Sequence, residues 1–378
     1  MKILYLTPGC FDKGGISRYN RYQIRVCREL FGESQIKVFS LLGPSDNDFE
    51  EPMQVEWHGN GANMKSKTAM ISRVIRCAMQ WKPDLILCAH VNLSGLGYFV
   101  SRFHKTKTIL NAYGLEIWSP LSRDASWGLK NTGMIISDCH NTADWLIQNK
   151  NRKAETIRVV WDCIDVNTLK PSEVSDNTIR KYNLPDPKKY FNILTLGRLS
   201  LPDAKYKGYD RLLDVFFSLA PEYQNLRLII AGRGNYTERL KERVKLEGME
   251  EKVSFTGSVE ETDMAEVYNA CSIFSLITDS GEGRGEGIPL TPLEAMACGK
   301  PILVGNQDGS REAIINENGF AMNPFDLEAH KAAILNYAEN AGVLMAHSKN
   351  ALSVAHSYFA FEHFKLKHQQ IFGELNKN

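Results

Sequence analysis

The 378-residue chain is too long for one ordinary hydrophobic core, so two domains are expected. Hydrophobic residues make up 43% and charged residues 24%, as in a water-soluble globular protein, and 45 Lys+Arg against 44 Asp+Glu leave no overall field to attract nucleic acid or an anionic membrane. The eight cysteines show no CxxC pair and no zinc spacing, which suits reduced thiols better than a disulfide framework.

In chain order, the first apolar run, in MKILYLTPGC, is too short for the core of a signal peptide, and no stretch approaches the length of a membrane span. A cytoplasmic location is expected. Strand candidates in the first half are KILYLT (2–7), QIKVFSL (35–41), MQVEW (53–57), DLILCA (84–89), KTILN (107–111), GMIIS (133–137) and TIRVV (156–160). Helical periodicity falls between them near 16–31, 64–81, 93–105 and 140–150. Such alternation predicts βαβ units on a buried parallel sheet.

Residues 165–190 are polar and proline-bearing, and read as a linker. The alternation restarts with FNILTLG (191–197), LRLIIAG (226–232), VSFTG (253–257), IFSLIT (273–278) and PILVG (301–305). The fold class is therefore α/β, with two doubly wound domains. The stretch 351–375 reads as one helix carrying Tyr358, Phe359, Phe361, Phe364 and Phe372, whose aromatic face must be buried.

In open α/β sheets ligands sit beyond the carboxyl ends of the strands. There the unusual residues gather. In GEGRGEGIPLTPLEAMACGKP (281–301), Thr291 as cap, Pro292 at the first helical position and Glu294 closing a capping box predict a short helix over 292–298, ended by Gly299. Its N-terminus makes an anion site, and the glycines at 283, 285 and 287 let a ligand approach. A flexible loop before an ordinary capping box is the plainer reading, but it leaves Glu286 unexplained. In LGRLSLPDAKYKGYDRLL (196–213), Arg198 follows a strand and Lys207 precedes a helix, a pair suited to phosphate oxygens and otherwise a solvated pair. Both are expected in a solvated cleft, so that alanine at either leaves the fold intact. In TPGCFDKGGISRYN (7–20), Gly14 and Gly15 precede a helix, but the GxGxxG of dinucleotide folds is absent, and a tight turn without a ligand explains the loop equally well.

Taken in order, these pieces resemble the retaining glycosyltransferases of family 4. EGIPLTPLE (286–294) matches their E-x7-E signature. GRL…YKG (197–208), IAGRG (230–234), VSFTGSV (253–259), Tyr268-Asn269-Ala270-Cys271 and EAMACGKPI (294–302) follow the family's order, as do GGISRY (14–19), His90-Val91-Asn92-Leu93 and YGLEIW (113–118). The resemblance implies the GT-B fold, two facing Rossmann-like domains: an acceptor-binding domain over 1–168, a nucleotide-sugar-binding domain over 169–355, and a C-terminal helix over 356–378 crossing back to the first. It implies no cofactor and no metal. Arg198 and Lys207 would hold the donor diphosphate as it leaves, and Glu286 the donor sugar. Gly287, Ile288 and Leu290 would offer backbone N–H groups. Pro289, where many members have glycine, would line the site without a donor of its own. Glu294 would accept from the ribose, and Gly15 would lie under the diphosphate. The family often has a histidine where Tyr113 stands. Tyr113, Glu116 and His90 are the residues expected near the reacting sugar or acceptor, His90 reading equally as a structural histidine at a strand end.

The partners expected are a nucleotide-sugar donor, UDP-glucose first and GDP-mannose or another UDP-sugar next, and a glycan or lipid-linked acceptor; nucleic acid is not expected. MKSKTAMISRVIRCAMQWK (64–82) and RFHKTK (102–107) could touch a membrane surface peripherally, or be ordinary amphipathic surface. Asp46-Asn47-Asp48 superficially matches a DxD metal motif but reads as a solvated turn. A non-catalytic nucleotide-sugar binder is the main rival. A nicotinamide oxidoreductase is weakened by the missing GxGxxG, and a phosphorylase by the chain length.

Overall fold

The computed structural model describes residues 1–12, 14–43 and 54–377, so the Asp46-Asn47-Asp48 stretch lies outside the described residues. The chain divides into two compact units, one formed by Met1–Cys163 with the helix that begins at Phe361, the other by Ile164–Ala360.

In the first unit the strands are β1 (Ile3–Thr7), β2 (Ile36–Ser40), β3 (Trp57–His58), β4 (Leu85–Cys88), β5 (Lys107–Ala112), β6 (Met134–Ser137) and β7 (Ile157–Val159). Its helices are α1 (Gly15–Phe31), α2 (Met64–Trp81), α3 (Val91–Ser101), α4 (Leu115–Trp118), α5 (Arg123–Asn131) and α6 (His140–Lys150). The seven strands are all parallel, in the order β3-β2-β1-β4-β5-β6-β7. Alternate residues feed two cores. Ile3, Tyr5, Leu85 and Leu87 pack on one face with Ile24 of α1, while Leu4, Leu6 and Ile86 pack on the other with Met70, Val74 and Ala78 of α2. Of the expected strand 53–57, Trp57 begins β3, and Glu56 just before it donates its N–H to Val38 O at 2.9 Å.

The second unit holds α7 (Asp176–Tyr182), β8 (Phe191–Leu196), α8 (Asp203–Tyr206), α9 (Tyr209–Leu219), β9 (Leu226–Ala231), α10 (Thr237–Leu246), β10 (Val253–Gly257), α11 (Met264–Asn269), β11 (Ile273–Leu276), α12 (Leu290–Ala297), β12 (Ile302–Gly305), β13 (Gly319–Met322), α13 (Leu327–Glu339) and α14 (Ala341–Tyr358). Its parallel sheet runs β10-β9-β8-β11-β12-β13. The short edge strand β13, GFAM, carries too little pattern to stand out in the sequence.

Two expectations need correction. The stretch 165–190 is not a bare linker. Ser175 caps α7, and Lys181 pairs with Glu260 and Asp263 at 2.8 and 2.7 Å, tying it into the second unit. Nor is 351–375 one helix. The chain breaks at Phe359–Ala360, where Ile164 donates to Phe359 O at 2.8 Å and bridges Ala360, and α15 (Phe361–Lys377) starts afresh. In α15, Phe364, His368, Ile371 and Phe372 follow helical spacing and lie buried in the first unit.

Candidate active site

Strand order in the second sheet reverses between β8 and β11, the switch point at which open α/β sheets take ligands. These strands pair at Ile193–Ile273 and Leu194–Phe274, two residues short of their carboxyl ends. The segments leaving them carry the predicted donor residues.

Lys207 follows α8, with Gly208 turning the chain into α9. Gly208 has φ +78°, and a Cβ there would stand 2.5 Å from Ile277 O, so glycine lets the loop after β8 close on the end of β11. Lys207 Nζ donates to Glu286 Oε1 at 2.6 Å, and Tyr206 Oη donates to the same oxygen at 3.2 Å. The Lys207 side chain is only 13% exposed and that of Glu286 21%, so Lys207 is not the solvated cation expected from sequence. Burial disfavours its ammonium, yet the Glu286 carboxylate holds it charged, above the ordinary lysine range. Behind the pair, Asp308 Oδ2 accepts from Glu286 N at 2.9 Å, and burial raises the Asp308 carboxyl. Arg198 behaves as expected of a cation in water: its side chain is 66% exposed, 3.5 Å from Asp203. A Cβ built on the preceding Gly197 would lie 3.8 Å from Lys207 Nζ, so both cations border one loop.

The α12 capping box does not form. The helix begins at Leu290, two residues earlier than predicted, with Pro289 as N-cap and no side-chain cap bond. Pro292 is tolerated because the third helical N–H has no intrahelical partner to lose. Glu294 turns inward instead, 2% exposed, and accepts from Tyr268 Oη. The other end is as expected: Gly299 N donates to Met296 O at 2.9 Å and Lys300 N to Ala295 O at 3.0 Å, a Schellman pattern. Gly287, Ile288 and Pro289 are buried and Leu290 half-buried at the start of this helix. Sequence reasoning missed Tyr206, Asp308 and the Arg211–Asp279 ion pair at 2.8 Å; of these only Tyr206, beside Lys207 in KYKG, had a local signal.

In the first sheet the order reverses between β1 and β4. Gly15 is the exposed first residue of α1, after β1. His90, after β4, caps α3: its Nδ1 accepts from Asn92 N at 3.1 Å, and burial lowers its pKa to about 4. It is a neutral N-cap. Tyr113, after β5, is buried, and its hydroxyl turns into the unit toward Asn20 and Asn111, at 2.9 and 3.0 Å. Glu116 Oε1 accepts from Tyr113 N at 2.7 Å, folding the turn on itself; burial raises this carboxyl to about 7 although backbone N–H groups oppose it.

The sequence is similar to known proteins. Residues 175–353 match the family model of the group 1 glycosyl transferases. The chain is 34% identical over 208 residues to the mannosylfructose-phosphate synthase of Agrobacterium fabrum, covering 53% of this chain and 43% of that protein. It is 31% identical over 185 residues to the lipopolysaccharide core biosynthesis mannosyltransferase LpsB of Rhizobium meliloti, covering 47% of this chain and 49% of LpsB. The matched stretches thus span about half the length of these curated relatives. A likeness in fold extends over the whole chain. Anabaena Alr3699/HepE, solved in complex with UDP-glucose, superposes with a TM-score of 0.76 over 100% of both chains at 20% identity, which shows the GT-B fold.

Proposed function

We propose that this protein is a retaining family 4 hexosyltransferase, moving a hexose from a nucleotide diphosphate sugar to a saccharide or lipid-linked acceptor in glycan or polysaccharide synthesis. The observation that carries the reading is the Lys207–Glu286 pair at the switch point of the second sheet. An ammonium has three donors, so Lys207 can keep Glu286 and still take a phosphate oxygen. Arg198, exposed nearby, offers the fork geometry that suits the other oxygens. Charge developing on the departing diphosphate is then met by protein cations and by the N–H groups of Gly287, Ile288 and Leu290, an electrostatic stabilisation that needs no divalent ion. The second oxygen of Glu286 takes a hydroxyl of the donor sugar, and Glu294 takes the ribose. The departing phosphate accepts the proton of the acceptor hydroxyl, so transfer on one face of the sugar needs no separate base.

The second unit holds the donor in this reading, and the first unit the acceptor, with Gly15, His90, Tyr113 and Glu116 at its strand ends. UDP-glucose is the first donor to test, being the ligand of the Anabaena protein. GDP-mannose comes second, because LpsB is named a mannosyltransferase. Among the described residues no helix is long and apolar enough to cross a membrane. We place the protein in the cytoplasm with peripheral membrane contact through α2, whose exposed residues include Lys65, Lys67, Arg73 and Arg76 beside Met64, Ile71 and Met79.

Thermal-shift titration with UDP-, GDP- and ADP-sugars tests donor binding, since a ligand of the native state raises its melting point. One sugar nucleotide should raise it, and its nucleoside diphosphate should be released with acceptor present, with or without EDTA. Release that survives Glu286→Ala, or no shift with any donor, would overturn the reading.

A further inference from the structure

A continuous line of buried polar side chains crosses the first unit. Tyr5, Thr7, Asn20, Gln23, Asn111 and His368 are all fully buried, and Tyr113 nearly so. His368 Nδ1 lies 2.9 Å from Phe364 O. A carbonyl only accepts, so Nδ1 carries the proton and Nε2 accepts from Gln23 Nε2 at 2.9 Å. The other Gln23 amide hydrogen goes to Asn111 Oδ1 at 3.2 Å, while Gln23 Oε1 accepts from Asn111 Nδ2 at 2.7 Å and Tyr5 Oη at 2.8 Å. Asn111 Nδ2 also donates to Tyr113 Oη at 3.0 Å, and Tyr113 Oη donates to Asn20 Oδ1 at 2.9 Å. Asn20 Nδ2 ends the line on Thr7 Oγ1 at 2.8 Å and Gly9 O at 3.3 Å.

From Asn111 onward the donors run one way, through Tyr113 and Asn20 to Thr7, and His368 sets that direction by fixing the Gln23 amide, which pairs reciprocally with Asn111. Were Nε2 a donor, the Gln23 amide would have to turn over. Asn111 would follow, and Tyr113 would lose its donor and redirect its own proton away from Asn20. We propose that His368, on the last helix of the chain, is a positioning residue that seats the ends of β1 and β5, namely the Thr7–Gly9 segment leading to α1 and the Tyr113–Glu116 turn. Its surroundings favour the required form. The rings of Phe364, Phe372 and Tyr19 have centroids 4.3, 6.0 and 6.3 Å from the imidazole, and burial lowers the His368 pKa to about 4.

The structural role is tested without a substrate. Nitrogen NMR of the full chain should show His368 as the neutral Nδ1–H tautomer from pH 8 to 5.5. In His368→Phe, amide exchange at Gly9 and Tyr113 should quicken about tenfold, the scale of one lost buried hydrogen bond, with β9 of the second unit unchanged. His368→Gln, which keeps an acceptor oxygen, should restore part of the protection. Titration of His368 between pH 6 and 7, the opposite tautomer, or equal acceleration throughout the chain would overturn the proposal. If His368→Phe does not fold, the tautomer and the Gln variant still decide. The catalytic consequence rests on the function proposed above: kcat should fall in His368→Phe while the donor-induced thermal shift is kept. If no donor binds even the unaltered chain, that function fails while the exchange result stands; normal kcat alongside lost protection would remove the catalytic consequence.

Discussion

Lys207 Nζ donates to Glu286 Oε1 across 2.6 Å, joining the loop after β8 to the loop after β11. Seventy-nine residues separate them in sequence. Each is a poor occupant of a site so little exposed unless the other is present, so the pair belongs to the fold as well as to the proposed chemistry.

Lys207→Ala should therefore do more than stop turnover. Leaving Glu286 without its cation should cost about 2–3 kcal/mol, somewhat under the range for fully buried pairs. Lys207→Ala/Glu286→Ala should regain part of that stability and none of the turnover. Urea melts of the three variants measure it; a double variant no more stable than Lys207→Ala would show that the two residues are not coupled.

Arg198→Ala makes the contrast. Its side chain is exposed and lies 3.5 Å from Asp203, so stability should stay within about 0.5 kcal/mol of the parent. The thermal shift produced by a nucleoside diphosphate should shrink markedly. A full-sized shift would take Arg198 out of the diphosphate site.

Stability should depend on pH through groups of opposite sign. Burial lowers His90, His330 and His368 to about 4, below the value of roughly 6.5 for free histidine. Between those values the unfolded chain binds protons that the folded chain does not, so these residues make stability fall as pH falls from 6.5 toward 4. Glu116, raised by burial to about 7, acts the other way. Between its unfolded value and 7 the folded chain holds the extra proton, so its contribution rises as pH falls, and Asp308 acts in the same sense. Glu116→Gln should thus steepen the acid loss of stability near pH 5.5 by up to about 1.4 kcal/mol per pH unit. Denaturant melts from pH 5 to 7 would show it; parallel curves for the two proteins would contradict the raised carboxyl.

Gly232→Ala should be severe. Gly232 has φ +120°, and a Cβ there would stand 1.9 Å from Gly197 O, in the loop that leads to Arg198. Strain and displacement together should cost about 3 kcal/mol or more. A melting point close to that of the parent would mean that the two loops can separate cheaply.

Much of this protein was legible from local pattern. The strands other than β13 announced themselves as runs of β-branched and apolar residues, because a parallel sheet buried on both faces demands such runs. The loops with Arg198, Lys207 and Glu286 were located for the same reason, since strand ends locate them. Local signals also misled. Thr291 and Glu294 stand at capping-box spacing, but Tyr268, from another helix, takes the carboxylate inward. The helical pattern of 351–375 is continuous, yet Ile164 pairs with the chain at Phe359–Ala360 and divides it.

Sequence alone determined the alternation of strands and helices, the α/β class and the ends of the strands, because periodicity and turn residues act over a few positions. Tertiary structure alone decided that Lys207 is buried against Glu286, that Tyr113 turns inward, and that His368 meets Gln23 from 345 positions away. Those pairings are set by strand order and helix packing, which bring distant residues together and exclude water. Their charge states follow from that exclusion, which no local stretch of sequence carries.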